Sequence, residues 1–79
     1  TIWSHNAYLI NQSLQNQGMK AREADAWVGK LFFLTLTHRL RENSNFNQAA
    51  QETLQQCMEL HEGARCDLVK KAFQKTELL

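Results

Sequence analysis

The fold of this chain is decided by residues 43–73, whose sequence is NSNFNQAAQETLQQCMELHEGARCDLVKKAF. Asn43, Ser44 and Asn45 offer acceptor side chains for the free N–H groups at the start of a helix, and Gln48 stands three residues after Asn45, as in a capping box. A helix is therefore expected to begin near Phe46. Its apolar residues recur at intervals of four, four, three and one and predict a single apolar stripe: Phe46, Ala50, Leu54, Cys57 and Met58.

Gly63 is expected to end this helix as a C-terminal glycine, and a second helix is expected to follow. Asp67 would lie in the first turn of that second helix, where a negative charge suits the helix dipole. The apolar face of the second helix is formed by Val69, Ala72 and Phe73. Its basic end is formed by Lys70, Lys71 and Lys75. Residues 43–73 thus predict two helices packed as an antiparallel hairpin.

The rest of the chain also favours helices, since its 79 residues include no proline and only three glycines. One helix is predicted over 2–14 and another over 23–41, joined by a polar and flexible link at 15–22 that contains Gly18. The sequence therefore predicts an all-α fold, a small bundle of about four helices, as a single domain over residues 1–79.

The predicted helix at 23–41 has the most apolar centre of the chain, and a helix with little polar surface is normally surrounded by neighbours. We therefore expect it to be the hub of the bundle. Phe33 and Leu34 point away from its main apolar stripe. We expect other helices of this chain to cover them; the alternative is an exposed patch that docks a missing N-terminal domain.

Charge and hydropathy exclude two kinds of partner. Nine Lys and Arg residues stand against eight Asp and Glu residues, with no basic run longer than two, so the sequence gives no footprint for nucleic acid. No apolar run approaches the roughly 20 residues that a membrane span needs. We also find no paired carboxylates, no Gly-rich phosphate loop and no nucleophilic serine with a suitably placed base. No catalytic or cofactor-binding residue is predicted.

Cys57 and Cys66 bracket the turn between the last two predicted helices. A disulfide here would close a loop of about ten residues and stabilise the fold by roughly 3 kcal/mol in the chain-entropy model. We favour this disulfide, and two free buried thiols remain an alternative. A metal site with His61, which follows Cys57 by four residues, is a further alternative but lacks a fourth ligand.

Four strings in the sequence carry a family resemblance: AYLI at 7–10, VGKLFF at 28–33, SNFNQA at 44–49 and VKKAF at 69–73. In order and approximate spacing they resemble the C-terminal helical subdomain of the thermolysin-like (M4) zinc metallopeptidases, from about Ile2 to Phe73. The chain departs from the family at residues 76–78, where TEL replaces the usual Val-Gly-Val, and in the Gln/Asn-rich residues 11–17.

The resemblance implies that this chain belongs to a secreted zinc metalloendopeptidase and forms one wall of its substrate cleft. In that family, zinc is held by a His-Glu-x-x-His helix and a downstream Glu, and a transition-state-stabilising His precedes the first helix of this segment by a few residues. All of these lie N-terminal to Thr1. Zinc, with calcium as a second candidate ion, and the peptide substrate would be bound by the parent enzyme, whose N-terminal catalytic domain is the expected partner.

This chain alone is accordingly expected to be inactive, with no metal ligand of its own. Its nearest imitation of the zinc motif, HEGAR at 61–65, ends in Arg65, a permanent cation that cannot ligate zinc. Because the chain begins at Thr1 without Met or a secretory apolar segment, we expect a processed or trimmed fragment of a larger metallopeptidase.

A function of another class also explains the cysteines and aromatic residues. The chain would then be a stand-alone, disulfide-linked helical interaction module, such as a secreted effector or inhibitor, whose aromatic patch docks another protein. This alternative does not explain the four strings in order. Trp3 and Trp27 are expected in the core, with a binding groove as the alternative. His5 is expected to be an ordinary surface histidine, with a cleft-facing position as the alternative.

Overall fold

The computed structural model describes residues 2–39 and 45–79. These residues form α1 (Ile2–Asn16), α2 (Ala21–His38), α3 (Phe46–Glu59) and α4 (Gly63–Lys75). Each helix packs against the next one along the chain, and α4 packs against α1, so the four helices close into a ring. The predicted all-α bundle of four helices is confirmed.

The core lies inside this ring and receives side chains from every helix. Its fully buried large residues include Phe73 and Val69 of α4, Leu31 of α2, and Ile10 and Leu14 of α1. The face that Val69, Ala72 and Phe73 were predicted to form is buried as expected. Within the described ranges, no helix is long and apolar enough to cross a membrane.

The start of α3 follows the sequence prediction. The Asn45 side chain accepts a hydrogen bond from the Gln48 N–H at 2.8 Å, and the Gln48 side chain accepts one from the Asn45 N–H at 3.0 Å, which together form a capping box. The capping roles considered for Asn43 and Ser44 fall outside the described residues.

The apolar stripe predicted for α3 is only partly correct. Phe46 and Met58 are exposed, by 55% and 61%, whereas the buried face consists of Ala49, Ala50, Thr53, Gln56 and Cys57. Small residues allow the helix to approach its neighbours closely. The buried Thr53 hydroxyl donates to the Ala49 carbonyl oxygen at 2.7 Å, so its burial leaves no unpaired donor.

The link between α1 and α2 is shorter and more ordered than the flexible segment predicted at 15–22. Gly18, with φ of 100°, closes α1: its N–H donates to the Gln15 carbonyl oxygen at 2.9 Å, and the Met19 N–H donates to that of Leu14 at 3.1 Å. This is a Schellman motif, which satisfies the free carbonyls at a helix end. Helix α1 therefore extends to Asn16, and α2 begins at Ala21.

The link between α3 and α4 corrects two predictions. Gly63 is the first residue of α4 rather than the C-terminal glycine of α3, and the left-handed residue after α3 is His61, with φ of 57°. As a result Asp67 is the fifth residue of α4 and lies outside its first turn. Periodicity locates such a turn, but it does not indicate which residue adopts the left-handed conformation.

Helix α2 is not the hub of the bundle. It packs mainly on α1 and α3, just as α4 packs on two neighbours. In the described chain α2 ends at His38, and the Arg39 N–H closes its last turn by donating to the Thr35 carbonyl oxygen at 3.0 Å. The rest of the predicted 23–41 helix lies outside the described residues. A ring of helices covers only the inward side of each helix. The apolar centre of α2 therefore did not mean that other helices surround it.

Candidate functional site

The amino end of α1 is held by an aromatic stack. The Trp3 ring lies between the rings of Phe32 and Phe73, with centroids 5.1 Å and 5.6 Å away and interplanar angles of 28° and 15°. These distances are typical of stacked aromatic pairs. Trp3 is half-buried and packs against the core, in agreement with the favoured prediction. The stack joins the start of α1 to both α2 and α4.

Asn6 adds a second connection at the same end, which the sequence analysis missed. Its side chain is fully buried. The Asn6 Nδ2 donates to the Ile2 carbonyl oxygen at 2.9 Å, and its Oδ1 accepts from the Thr76 hydroxyl at 3.0 Å. A polar residue amid the apolar spacing of Trp3, Asn6, Ala7 and Ile10 is the signal that could have revealed it.

His5 lies on the outer side of α1. It is exposed, and its ring stacks on that of exposed Tyr8, with centroids 6.5 Å apart and an interplanar angle of 18°. Both positions lie away from the Asn6, Ile10 and Leu14 face that α1 buries.

The outer face of α2 consists of Ala26, Gly29, Phe33 and Leu36, whose spacing of three, four and three places them on one side of the helix. All four are exposed, with Phe33 exposed by 64% and Leu36 by 57%. The prediction that other helices cover Phe33 is therefore wrong. Leu34 is half-buried beside the cleft between α2 and α3. The outer face lies opposite the face that α2 buries through Ala24, Val28, Leu31 and Thr35.

Arg39 connects the carboxyl end of α2 to α3 through a cluster of hydrogen bonds. Its guanidinium donates to Gln56 Oε1 at 2.9 Å and to Glu52 Oε2 at 3.2 Å, and it also pairs with Glu59. The hydrogen bond from Arg39 holds the pKa of Glu59 below its usual range. A lowered carboxyl pKa stabilises the folded state only while the carboxyl group is ionised. The stabilisation by the Arg39–Glu59 pair is therefore lost as the pH falls through the folded-state pKa of Glu59.

The structure joins Cys57 and Cys66 in a disulfide, with their Cα atoms 5.7 Å apart. Both cysteines are buried. Because their sulfur atoms are bonded to each other, the structure contains neither the two free thiols nor the Cys57–His61–Cys66 metal site considered as alternatives. The bond links the end of α3 to the start of α4. At the opposite end of these helices, Asn47 Nδ2 donates to the Leu78 carbonyl oxygen at 2.7 Å, so α3 and α4 run antiparallel as predicted.

The chain matches the sequence model of the family described as "Thermolysin metallopeptidase, alpha-helical domain" over residues 1–78. The chain belongs to this family. No curated protein and no solved structure matches it significantly. The family resemblance inferred from the four sequence strings is thereby confirmed.

Thermolysin-type enzymes are zinc peptidases, and the HEGAR segment at 61–65 is the nearest imitation of their zinc motif in this helical domain. Among residues 2–39 and 45–79, no group of three or more His, Cys, Asp or Glu side chains could hold a metal ion. In the HEGAR segment, the Arg65 guanidinium lies 5.6 Å from the centroid of the Trp27 ring and 3.6 Å from Glu62 Oε2. This segment therefore stabilises the α4 amino end against α2 by a cation–π contact.

The thermolysin-type helical domain also carries an open groove of about 540 Å³ between the α1–α2 turn and α4. Its charged lining residues are Glu23, Asp67, Arg65 and Lys71. Because the two acidic and two basic side chains offset each other, the groove has no strong preference for either charge sign.

Proposed function

We propose that this chain is the C-terminal helical subdomain of a secreted zinc metalloendopeptidase. Within the intact enzyme it forms one wall of the substrate cleft, and its α1 positions the catalytic histidine that precedes Thr1. The observation that carries this proposal is the family match over residues 1–78. Zinc, the general base and the bound water would be supplied by the remainder of the enzyme.

The partner of this subdomain is the catalytic domain, and we assign the outer face of α2 to that contact. Phe33 and Leu36 present apolar surface to solvent on the side opposite the bundle core. Exposed apolar patches of this kind commonly mark contacts with another domain. Ala26 and Gly29 lie on the same face and have little or no side chain, which would allow a partner backbone to approach closely.

An extracellular location accords with the chemistry of the α3–α4 turn. Disulfides persist in oxidising compartments and are rare in the reducing cytosol. The Cys57–Cys66 bond supports secretion for this reason, although it also suits a stand-alone secreted module.

The proposal is tested with the longer chain that contains residues 1–79 and the region upstream of Thr1. We expect that region to encode His-Glu-x-x-His, a downstream Glu and a His shortly before Thr1. The purified protein should cleave peptides on the amino side of apolar residues, lose activity with a zinc chelator and regain it when zinc is restored. Residues 1–79 alone should show no such activity.

Two results would contradict the proposal. One is a chelator-sensitive peptidase activity in pure residues 1–79, because the described residues include no group of three or more side chains that could hold zinc. The other is an upstream region without the zinc motif. The exposed Phe33 and Leu36 would then favour the second candidate function, a stand-alone interaction module that binds another protein through the outer face of α2.

A further inference from the structure

The hydrogen bond between Asn6 and Thr76 joins two residues that lie 70 positions apart in the sequence. Thr76 is the C-cap residue of α4, and Asn6 lies one turn after the start of α1. The Thr76 hydroxyl is closer to Asn6 Oδ1, at 3.0 Å, than to its own helix carbonyls at 3.2 Å and 3.3 Å. The bond therefore joins two helix ends.

The burial of Asn6 makes this bond consequential, although its partner Thr76 is only half-buried. The Asn6 side chain has no exposed surface, so its Oδ1 is out of contact with water while residue 76 keeps the shape of threonine. A buried amide oxygen without a partner carries a desolvation penalty, whereas a satisfied network fixes a unique arrangement. Because Asn6 Nδ2 also donates to the Ile2 carbonyl oxygen, the same side chain closes the first turn of α1.

The first turn of a helix ordinarily frays, because its N–H groups lack partners within the helix. In α1 that turn is held on two sides. Trp3 is stacked between Phe32 of α2 and Phe73 of α4, and Asn6 is bonded to Thr76 at the end of α4. Whatever segment enters α1 at Ile2 therefore starts from a fixed position.

We infer that Asn6 and Thr76 are positioning residues for catalysis: their part-buried hydrogen bond fixes the first turn of α1 and so orients the catalytic histidine upstream. The inference rests on the proposed function, which locates that histidine shortly before Thr1. Misplacing a catalytic group by about 1 Å can lower a rate about a hundredfold, so a bond that fixes the direction of α1 affects turnover even at a distance.

The test uses the full-length enzyme with three substitutions. Thr76→Val keeps the shape of the side chain and removes the hydroxyl that donates a hydrogen bond to Asn6 Oδ1. Thr76→Ser keeps the hydroxyl. Thr53→Val is the matched control, since Thr53 is a buried threonine whose hydroxyl bonds within α3, a helix that does not pack closely on α1. We would measure kcat, KM and amide exchange of peptides covering α1 at a temperature where all variants are folded.

We expect Thr76→Val to lower kcat about tenfold or more, with KM within about twofold of the wild type. Amide exchange at the start of α1 should accelerate in the same variant. Thr76→Ser should restore kcat to within about twofold, and Thr53→Val should leave kcat unchanged. A wild-type kcat in Thr76→Val, or an equal loss in Thr53→Val, would overturn the inference while leaving the proposed peptidase intact. A full-length protein without zinc-dependent activity would overturn the proposed function itself.

Discussion

His61 adopts a backbone conformation that few residues other than glycine take readily. Its φ of 57° lies in the left-handed region, where a Cβ atom costs roughly 1–2 kcal/mol. The residue stands just after the Leu60 C-cap of α3, and its N–H donates to the Met58 carbonyl oxygen at 3.0 Å. Histidine is among the side chains better tolerated there, but it still carries part of that cost.

His61→Gly should therefore raise the free energy of unfolding by about 1 kcal/mol, because glycine has no Cβ to strain. His61→Ala is the matched control. It removes the imidazole and keeps the Cβ, so its stability should remain near that of the wild type or fall slightly. Urea unfolding of oxidised residues 1–79 measures both. If the glycine variant is no more stable than the alanine variant, the turn is not strained at this residue.

At the scale of the secondary-structure element, the same substitution should have opposite effects at two glycines. Neither Gly18 nor Gly29 has an atom within 4 Å of an added Cβ, so steric contact plays no part at either site. Gly18 has φ of 100° in the turn after α1, whereas Gly29 lies in the interior of α2. Only the backbone conformation distinguishes them.

Gly18→Ala should lower the free energy of unfolding by about 1–2 kcal/mol, since alanine would be held in a left-handed conformation. Gly29→Ala should raise it by about 0.5–1 kcal/mol, because alanine favours the helix interior. Chemical denaturation of the two variants beside the wild type measures the difference. A more stable Gly18→Ala variant would mean that α1 does not end in the Schellman motif described above, and a less stable Gly29→Ala variant would contradict the prediction for the interior of α2.

The elements also show what the sequence could and could not predict. Four helices, the capping box at Asn45 and Gln48, and the buried face of α4 were predictable because each depends on residues close together in sequence. The exposure of Phe33 was not, since periodicity identifies an apolar face without showing what covers it. Asn6 was missed for a related reason: its partner Thr76 is far away in sequence, and only the packed bundle brings the two together.

At the scale of the whole molecule, the ring of helices leaves the outer face of α2 without a partner in this chain. The inner faces of all four helices meet in one core, and Phe33 and Leu36 lie outside it. In the proposed enzyme the catalytic domain covers these residues. The same substitution on that face should therefore have different effects in the isolated chain and in the intact protein.

Phe33→Ser should destabilise the full-length enzyme by about 1.5–3 kcal/mol, which is the value for exposing a buried phenylalanine. The same substitution should change the stability of isolated residues 1–79 little. Phe46→Ser is the matched control, because Phe46 is likewise exposed, by 55%, but belongs to α3 and not to the outer face of α2. It should change neither protein much. Thermal and urea unfolding of both forms provide the measurement. Equal effects of Phe33→Ser in the two forms would contradict docking through α2.

The connection between α1 and α4 also has a consequence for how the chain acquires its structure. A protein is synthesised from its amino end, so α1 leaves the ribosome long before α4, one of the two helices that it packs against. Until Thr76 has been added, Asn6 lacks its partner and the apolar face of α1 cannot be enclosed. The hairpin of α3 and α4 can pair locally, and we expect the contact between α1 and α4 to form later, because a contact between residues 70 positions apart carries a higher loop-closure entropy. Folding of this bundle is thus completed only after nearly all of it has been made.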